Sequence, residues 1–99
     1  MGMTDILKTY LEDTIKMIVD EPNEVVVDIK TSTKTILVQI KTSKSDCGKV
    51  IGRKGKTIES LKVIAAAIKN TKFSDHSRNV VLEILEDENS SFKSYNKEN

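Results

Sequence analysis

Val50-Ile51-Gly52-Arg53-Lys54-Gly55-Lys56-Thr57-Ile58 is the stretch on which the reading of the chain turns. Two glycines bracket two basic residues. An apolar pair comes before them, and an apolar residue follows three positions after the second glycine. The pattern reads as a helix, a tight turn and a second helix. Glycines without a Cβ let a ligand reach the main chain. The second helix adds free N–H groups and the positive end of its dipole, which together favour an anion. Arg53 and Lys54 add charge at the turn, and arginine can fork onto phosphate oxygens.

Working outward, the preceding Ser43-Lys44-Ser45-Asp46 has capping-box spacing, so a short helix is expected over 45–51, ending at Gly52. After the turn, Ile58, Leu61, Ile64, Ala65 and Ile68 fall on one helical face, predicting a helix over 56–70. The run Ala65-Ala66-Ala67 favours helix and permits close packing on a sheet.

Upstream the period is two. Val25, Val27 and Ile29 alternate with Val26, Asp28 and Lys30, and Ile36, Val38 and Ile40 alternate with Leu37, Gln39 and Lys41. These are two antiparallel strands joined by a turn at 31–34. Whether Val38 and Ile40 face a binding groove or the core is open at this stage. Before them, Thr4 is the expected N-cap of a helix carrying Ile6, Leu7, Tyr10, Leu11, Ile15 and Ile18 to about Val19, which Pro22 stops. Downstream, a polar connection over 71–78 leads to a third strand with Val80, Leu82 and Ile84. Its other face, Val81, Glu83 and Leu85, is half apolar, which suits a central position.

The order is α-β-β-α-α-β, a two-layer α+β sandwich with a three-stranded mixed sheet covered on one side by three helices. Ninety-nine residues make one domain, over 4–86, with a disordered start at 1–3 and a disordered polar, acidic tail at 87–99. Hydrophobic content of 37% fits a chain with a solvated end.

The net charge of +1, from 16 basic and 15 acidic residues, says nothing of nucleic acid by itself. Its distribution does. Residues 41–56 hold Lys41, Lys44, Lys49, Arg53, Lys54 and Lys56 against Asp46 alone. One cysteine excludes an internal disulfide, and one histidine with it gives no metal set. Cys47 reads as a small buried side chain, His76 as a surface residue and Tyr10 as core. Four aromatics, two of them in the tail, argue against a base-stacking sheet of the RRM or OB kind. With no paired carboxylates, triad or metal set, no enzyme and no cofactor are expected. No apolar run suggests a membrane span, so a cytoplasmic protein is expected.

The 50–58 stretch resembles the KH-domain signature, Val-Ile-Gly-x-x-Gly-x-x-Ile, and the element order is that of the type II, prokaryotic arrangement. The chain's size and the Asp-x-Gly-Lys-Val-Ile-Gly run over 46–52 are similar to the small single-KH bacterial proteins of the KhpA (YlqC-like) family. That resemblance implies binding of single-stranded RNA, the Gly-x-x-Gly turn clamping the backbone of about four nucleotides. Gly52, Arg53, Lys54 and Gly55 would form the clamp, Ile51 and Ile58 would flank it, and Lys49 and Lys56 would meet neighbouring phosphates. It also implies an RNA chaperone or post-transcriptional regulator that pairs with itself or with a larger KH protein of the Jag/KhpB type. The competing reading is a protein-interaction module that keeps the pairing surface and binds little RNA.

Overall fold

The computed structural model describes residues 2–85 and the backbone of Phe92–Tyr95. Helix α1 (Met3–Lys16) is followed by strands β1 (Val26–Thr31) and β2 (Thr35–Lys41), helices α2 (Cys47–Ile51) and α3 (Lys56–Lys72), strand β3 (Asn79–Leu85) and strand β4 (Phe92–Tyr95). The expected order is present, with one strand added.

The sheet runs β1-β2-β3-β4. β1 and β2 are the expected antiparallel hairpin, closed by the Ser32 N–H on the Thr35 carbonyl at 2.8 Å. β2 and β3 are parallel, so the chain must cross from one end of the sheet to the other between them, and α2, the turn and α3 make that crossing. The register stacks Val27, Ile40 and Ile84 in one row and Ile29, Val38 and Leu82 in the next. Val27, Ile36, Val38, Ile40, Leu82 and Ile84 have no exposed surface. That settles the open question about β2: Val38 and Ile40 are core.

β3 lies between β2 and β4, an internal strand, as its apolar face and half-apolar second face suggest. The fourth strand has no counterpart in the sequence pattern. The antiparallel pairing of Phe92–Tyr95 with Leu82–Leu85 extends the three-stranded core by one. The rest of the expected tail lies outside the described residues.

α1 lays Leu7, Leu11 and Ile15 on the sheet, all fully buried, at the four-residue spacing of one helix face. Its start differs from the expectation. Gly2 is the N-cap, and the Asp5 carboxylate reaches back to accept the Gly2 N–H at 3.3 Å, so Thr4 sits exposed inside the first turn. Of residues 1–3, Met3 packs against the core, and Met1 lies outside the described residues. After Lys16, turn-type bonds to the Ile15 carbonyl carry the chain through Val19.

α3 buries Ile58, Leu61 and Ala65; of the rest of the alanine run, Ala66 is half-buried and Ala67 exposed. Ile64 does not join them: it is 48% exposed, beside Val63 at 54%. The buried stripe continues instead through Lys69, whose ammonium donates to the Asp75 carbonyl and to Asn70 Oδ1, both at 2.6 Å. Lys69 thereby closes the C-terminal end of α3, which runs two residues further than expected. Tyr10 ties the two helices, its hydroxyl donating to the Leu61 carbonyl at 3.2 Å, and burial pushes its phenol up.

Asp46 also departs from its expected part. Its spacing predicts half of a local capping box, but its side chain is fully buried and reaches across the chain. Oδ1 accepts the Asp20 N–H at 3.1 Å, and Oδ2 accepts the Glu21 N–H and the Ser43 hydroxyl, both at 3.0 Å. One carboxylate thus joins the exit of α1 to the entry of α2. Burial pushes its carboxyl up, but the two backbone donors, Ser43 and the Lys49 ammonium outweigh that and hold it below its ordinary value. Asp75 is likewise held low, first by its hydrogen bond from Arg78, whose Nε and Nη2 lie 2.8 and 2.6 Å from Oδ2.

Both carboxyls therefore stabilise the fold above the unfolded-chain value of about pH 4, and that stabilisation is lost as the pH falls through their lower folded values. Urea midpoints should drop between about pH 4 and pH 2, and Asp46→Asn should lower the neutral midpoint while shrinking the acid drop. If the Asp46→Asn protein keeps the whole acid drop, Asp46 has no part in it.

Candidate nucleic-acid interface

α2 ends because the Gly52 N–H closes on the Gly48 carbonyl at 2.8 Å while Gly52 itself turns to φ 79°, ψ 171°. That region is open in practice only to glycine. The chain then makes a single tight turn: the Gly55 N–H bonds the Gly52 carbonyl at 3.1 Å and the Lys56 N–H bonds the Arg53 carbonyl. Lys54 (φ 58°) and Gly55 (φ 76°) are both left-handed. For Lys54 this costs roughly 1–2 kcal/mol that a glycine would not incur.

The two glycines are required for different reasons. A Cβ on Gly52 would lie 2.1 Å from Thr57 Oγ1, 2.6 Å from Thr57 Cβ and 2.8 Å from the Thr57 nitrogen. Gly52 is therefore fixed by the protein's own packing as well as by its φ. A Cβ on Gly55 would meet nothing within 4 Å. There the main chain faces open space, and a ligand can come onto it. The space that a Cβ would fill is open at Gly55, whereas at Gly52 it is occupied by Thr57. Sequence reasoning misses Thr57, since a threonine in the first turn of a helix carries no signal of its own.

The turn stands on buried residues. Val50 has no exposed surface and Ile58 only 2%, so Ile58 anchors α3 from beneath instead of flanking a ligand. Ile51 is half-buried and packs against the core edge. Arg53, Lys54 and Lys56 are exposed, and no carboxylate pairs with them among the described residues. The expected site therefore assembles over 51–56, at the N-terminal end of a 17-residue helix whose first N–H groups have no intrahelical acceptor.

Lys49 is placed otherwise than expected. Its ammonium lies 3.2 Å from Asp20 Oδ2 and 3.5 Å from Asp46 Oδ1, and Asp20 foremost raises its pKa. Its charge is already matched. Lys41 is separated too: strand alternation puts Ile40 in the core and Lys41 on the opposite face of the sheet, away from the helices. Arg53, Lys54 and Lys56 gather at the turn and the start of α3, Lys44 is exposed ahead of α2, and Lys49 and Lys41 are set apart from them by the ion pairs and the strand alternation.

Cys47 is buried, as expected, with its thiol on the Ser43 and Leu85 carbonyls at 3.8 Å, and His76 is exposed. Among the described residues no group of three or more His, Cys, Asp or Glu could hold a metal, and no helix is long and apolar enough to cross a membrane.

A left-handed Gly-x-x-Gly turn between two helices, set on a β-β-α-α-β core with parallel β2 and β3, matches one family by sequence as well: the model for the KhpA/KhpB KH domain covers residues 8–84. The chain belongs to the KhpA/KhpB KH-domain family. That family is one of binding domains without catalytic activity, so the chain is not an enzyme.

Among its relatives, the RNA-binding protein KhpA of Chlamydia caviae is 35% identical over 81 residues, spanning 82% of this chain and 99% of the relative. The protein of the same name from Clostridium acetobutylicum is 36% identical over 81 residues, 80% of this chain and 100% of the relative. That from Mycobacterium tuberculosis is 36% identical over 66 residues, 67% of this chain and 82% of the relative. No solved structure matches the chain. The KH match ends before β4, so the fourth strand lies beyond the span shared with the family model.

The unlike demands at the two glycines can be measured. Gly52→Ala should cost about 3 kcal/mol or more, from a forbidden φ plus the clash with Thr57. Gly55→Ala should cost about 1 kcal/mol, from φ alone. Equal losses for the two in urea denaturation would show that Thr57 does not crowd Gly52.

Proposed function

We propose that this KH domain binds single-stranded RNA through the turn at 52–55, without catalysis, and serves as an RNA chaperone or post-transcriptional regulator in the cytoplasm. The observation that carries the reading is the open main chain at Gly55, flanked by Arg53, Lys54 and Lys56 at the start of α3. Membership in a family whose relatives bear the name RNA-binding protein supports it.

In this reading the sugar-phosphate backbone lies over Gly55, and the α3 N–H groups and dipole face a phosphate. Arg53 forks onto one phosphate and Lys54 and Lys56 meet its neighbours as point charges. Gly52, held against Thr57, fixes the angle between α2 and α3. Ile51 lines the edge of the surface beside the turn. Bases are read by shape and edge contacts more than by stacking, since Tyr10 is committed to Leu61.

A contact surface of this size gives modest, salt-sensitive affinity, with the logarithm of affinity falling by about 0.7 per phosphate for each tenfold rise in salt. Arg53→Asp with Lys54→Asp should abolish the gel shift of a single-stranded RNA at low salt and leave the urea midpoint near that of the wild type. An unchanged shift would remove the turn from the interface.

A second reading is favoured by Val63 and Ile64, adjacent on α3 and about half exposed. It makes this helix a pairing surface for a second copy or for a larger KH protein of the Jag/KhpB type. Pairing would place two turns on one RNA, raising affinity by effective concentration. Light scattering should show a dimer that Ile64→Asp converts to monomer; a monomeric wild type at high concentration would exclude self-pairing.

A further inference from the structure

Asp20, Asp46 and Lys49 form a cluster beside α2 that RNA binding by the turn does not use. Lys49 lies three residues before Gly52. Its ammonium has a carboxylate on each side, at 3.2 Å from Asp20 and 3.5 Å from Asp46. Two carboxylates against one ammonium leave one negative charge in excess, next to a turn whose own side chains are cationic.

The two acids have different tasks. Asp46 is fully buried and satisfied by the Asp20 and Glu21 N–H groups and the Ser43 hydroxyl, so it keeps three donors without Lys49. The Asp20 side chain is 76% exposed, and it is the Asp20 backbone, not its carboxylate, that holds the loop to Asp46. The Asp20 carboxylate has Lys49 as its one ion-pair partner among the described residues. Nothing in the packing of the loop requires it to be charged.

We infer that Asp20 belongs to the RNA interface as its negative border: by holding Lys49 it keeps α2 from engaging a phosphate and limits the strand to Arg53, Lys54 and Lys56. The inference rests on the reading of the turn as an RNA clamp. An exposed ion pair is weakened by salt and by competing anions, but here a phosphate would have to displace one carboxylate while another stays in place. Removing the Asp20 charge leaves Lys49 facing a single buried carboxylate that is already satisfied, with its ammonium open to solvent.

The test is the salt dependence of binding to a single-stranded RNA oligonucleotide. Measured proteins are the wild type, Asp20→Asn, Lys49→Gln and the double variant, with Arg53→Gln as the reference for loss of one phosphate contact. The expected result for Asp20→Asn is severalfold tighter binding at low salt and a slope steeper by about 0.7, one added contact on a single strand. Lys49→Gln alone should keep the wild-type slope, and adding it to Asp20→Asn should restore that slope. Thermal unfolding of Asp20→Asn should match the wild type, because that side chain is 76% exposed; Lys49→Gln removes the ammonium beside buried Asp46 and should lower the midpoint modestly, with Asp46 keeping its three other donors. A wild-type slope for Asp20→Asn, or a slope lowered by Lys49→Gln alone as much as by Arg53→Gln, overturns the inference while the clamp stands. No RNA shift in any of these proteins overturns both.

Discussion

A carboxylate with no exposed surface has to find donors for both its oxygens, and at Asp46 it finds three of them on two separate pieces of chain. An unpaired buried charge would be costlier than any single contact in this small core. The exit of α1 and the entry of α2 are therefore bound to meet at one point. Their meeting decides where α2 starts, and α2 is only one and a half turns long. It has little freedom to place its last residue anywhere but where Gly52 is found. The geometry of the turn is thus inherited from a buried acid six residues earlier.

The period of the apolar residues makes most of this fold legible in the sequence. Leu7, Leu11 and Ile15 on a helix, and Val27, Val38 and Leu82 on strands, are where alternation and four-residue spacing place them. The departures share one cause: in most of them a group has a tertiary partner that spacing cannot report. Asp46 has local capping-box spacing and a remote function, because its partners are backbone groups that no side-chain pattern reveals. Lys69 is buried beside Ile68, which packs against the core as its spacing predicts, since the Asp75 carbonyl and the Asn70 side-chain oxygen accept hydrogen bonds from its ammonium. Spacing assigns Ile64 to the core face, but Ala65 and Leu61 already occupy the surface against the sheet. The strand at Phe92–Tyr95 follows an acidic, Ser-rich run in which no alternation is visible; only the free edge of β3 selects it.

The site is legible in a different way. Spacing alone locates the turn, but it treats the eight named residues as equals. The structure sorts them by what already touches them. Ile58 is spent on the core, Lys49 on two carboxylates and Gly52 on Thr57, leaving Arg53, Lys54, Gly55 and Lys56 with open surface and Ile51 at the margin. A sequence shows which groups could meet a ligand. Which of them are free to do so depends on contacts between residues distant in sequence, and Asp20 is 29 positions from Lys49.

This sorting bears on how tightly one domain can hold a strand. If the turn is the RNA clamp proposed, its three cations with no ion pair among the described residues and one helix terminus would supply few phosphate contacts, and aromatic stacking would add little, because Tyr10 is engaged with Leu61. Lys54 moreover holds a left-handed backbone that its side chain does not favour. A glycine would relax that strain, and the turn would then lose a third of its free positive charge. Under the proposed clamp, a lysine here would trade the backbone's preference for a charge at the ligand. A clamp built on so few charges would gain more from a second identical surface than from any one improved contact, and the half-exposed Val63 and Ile64 on the same helix are the apolar face through which the proposed pairing would bring one.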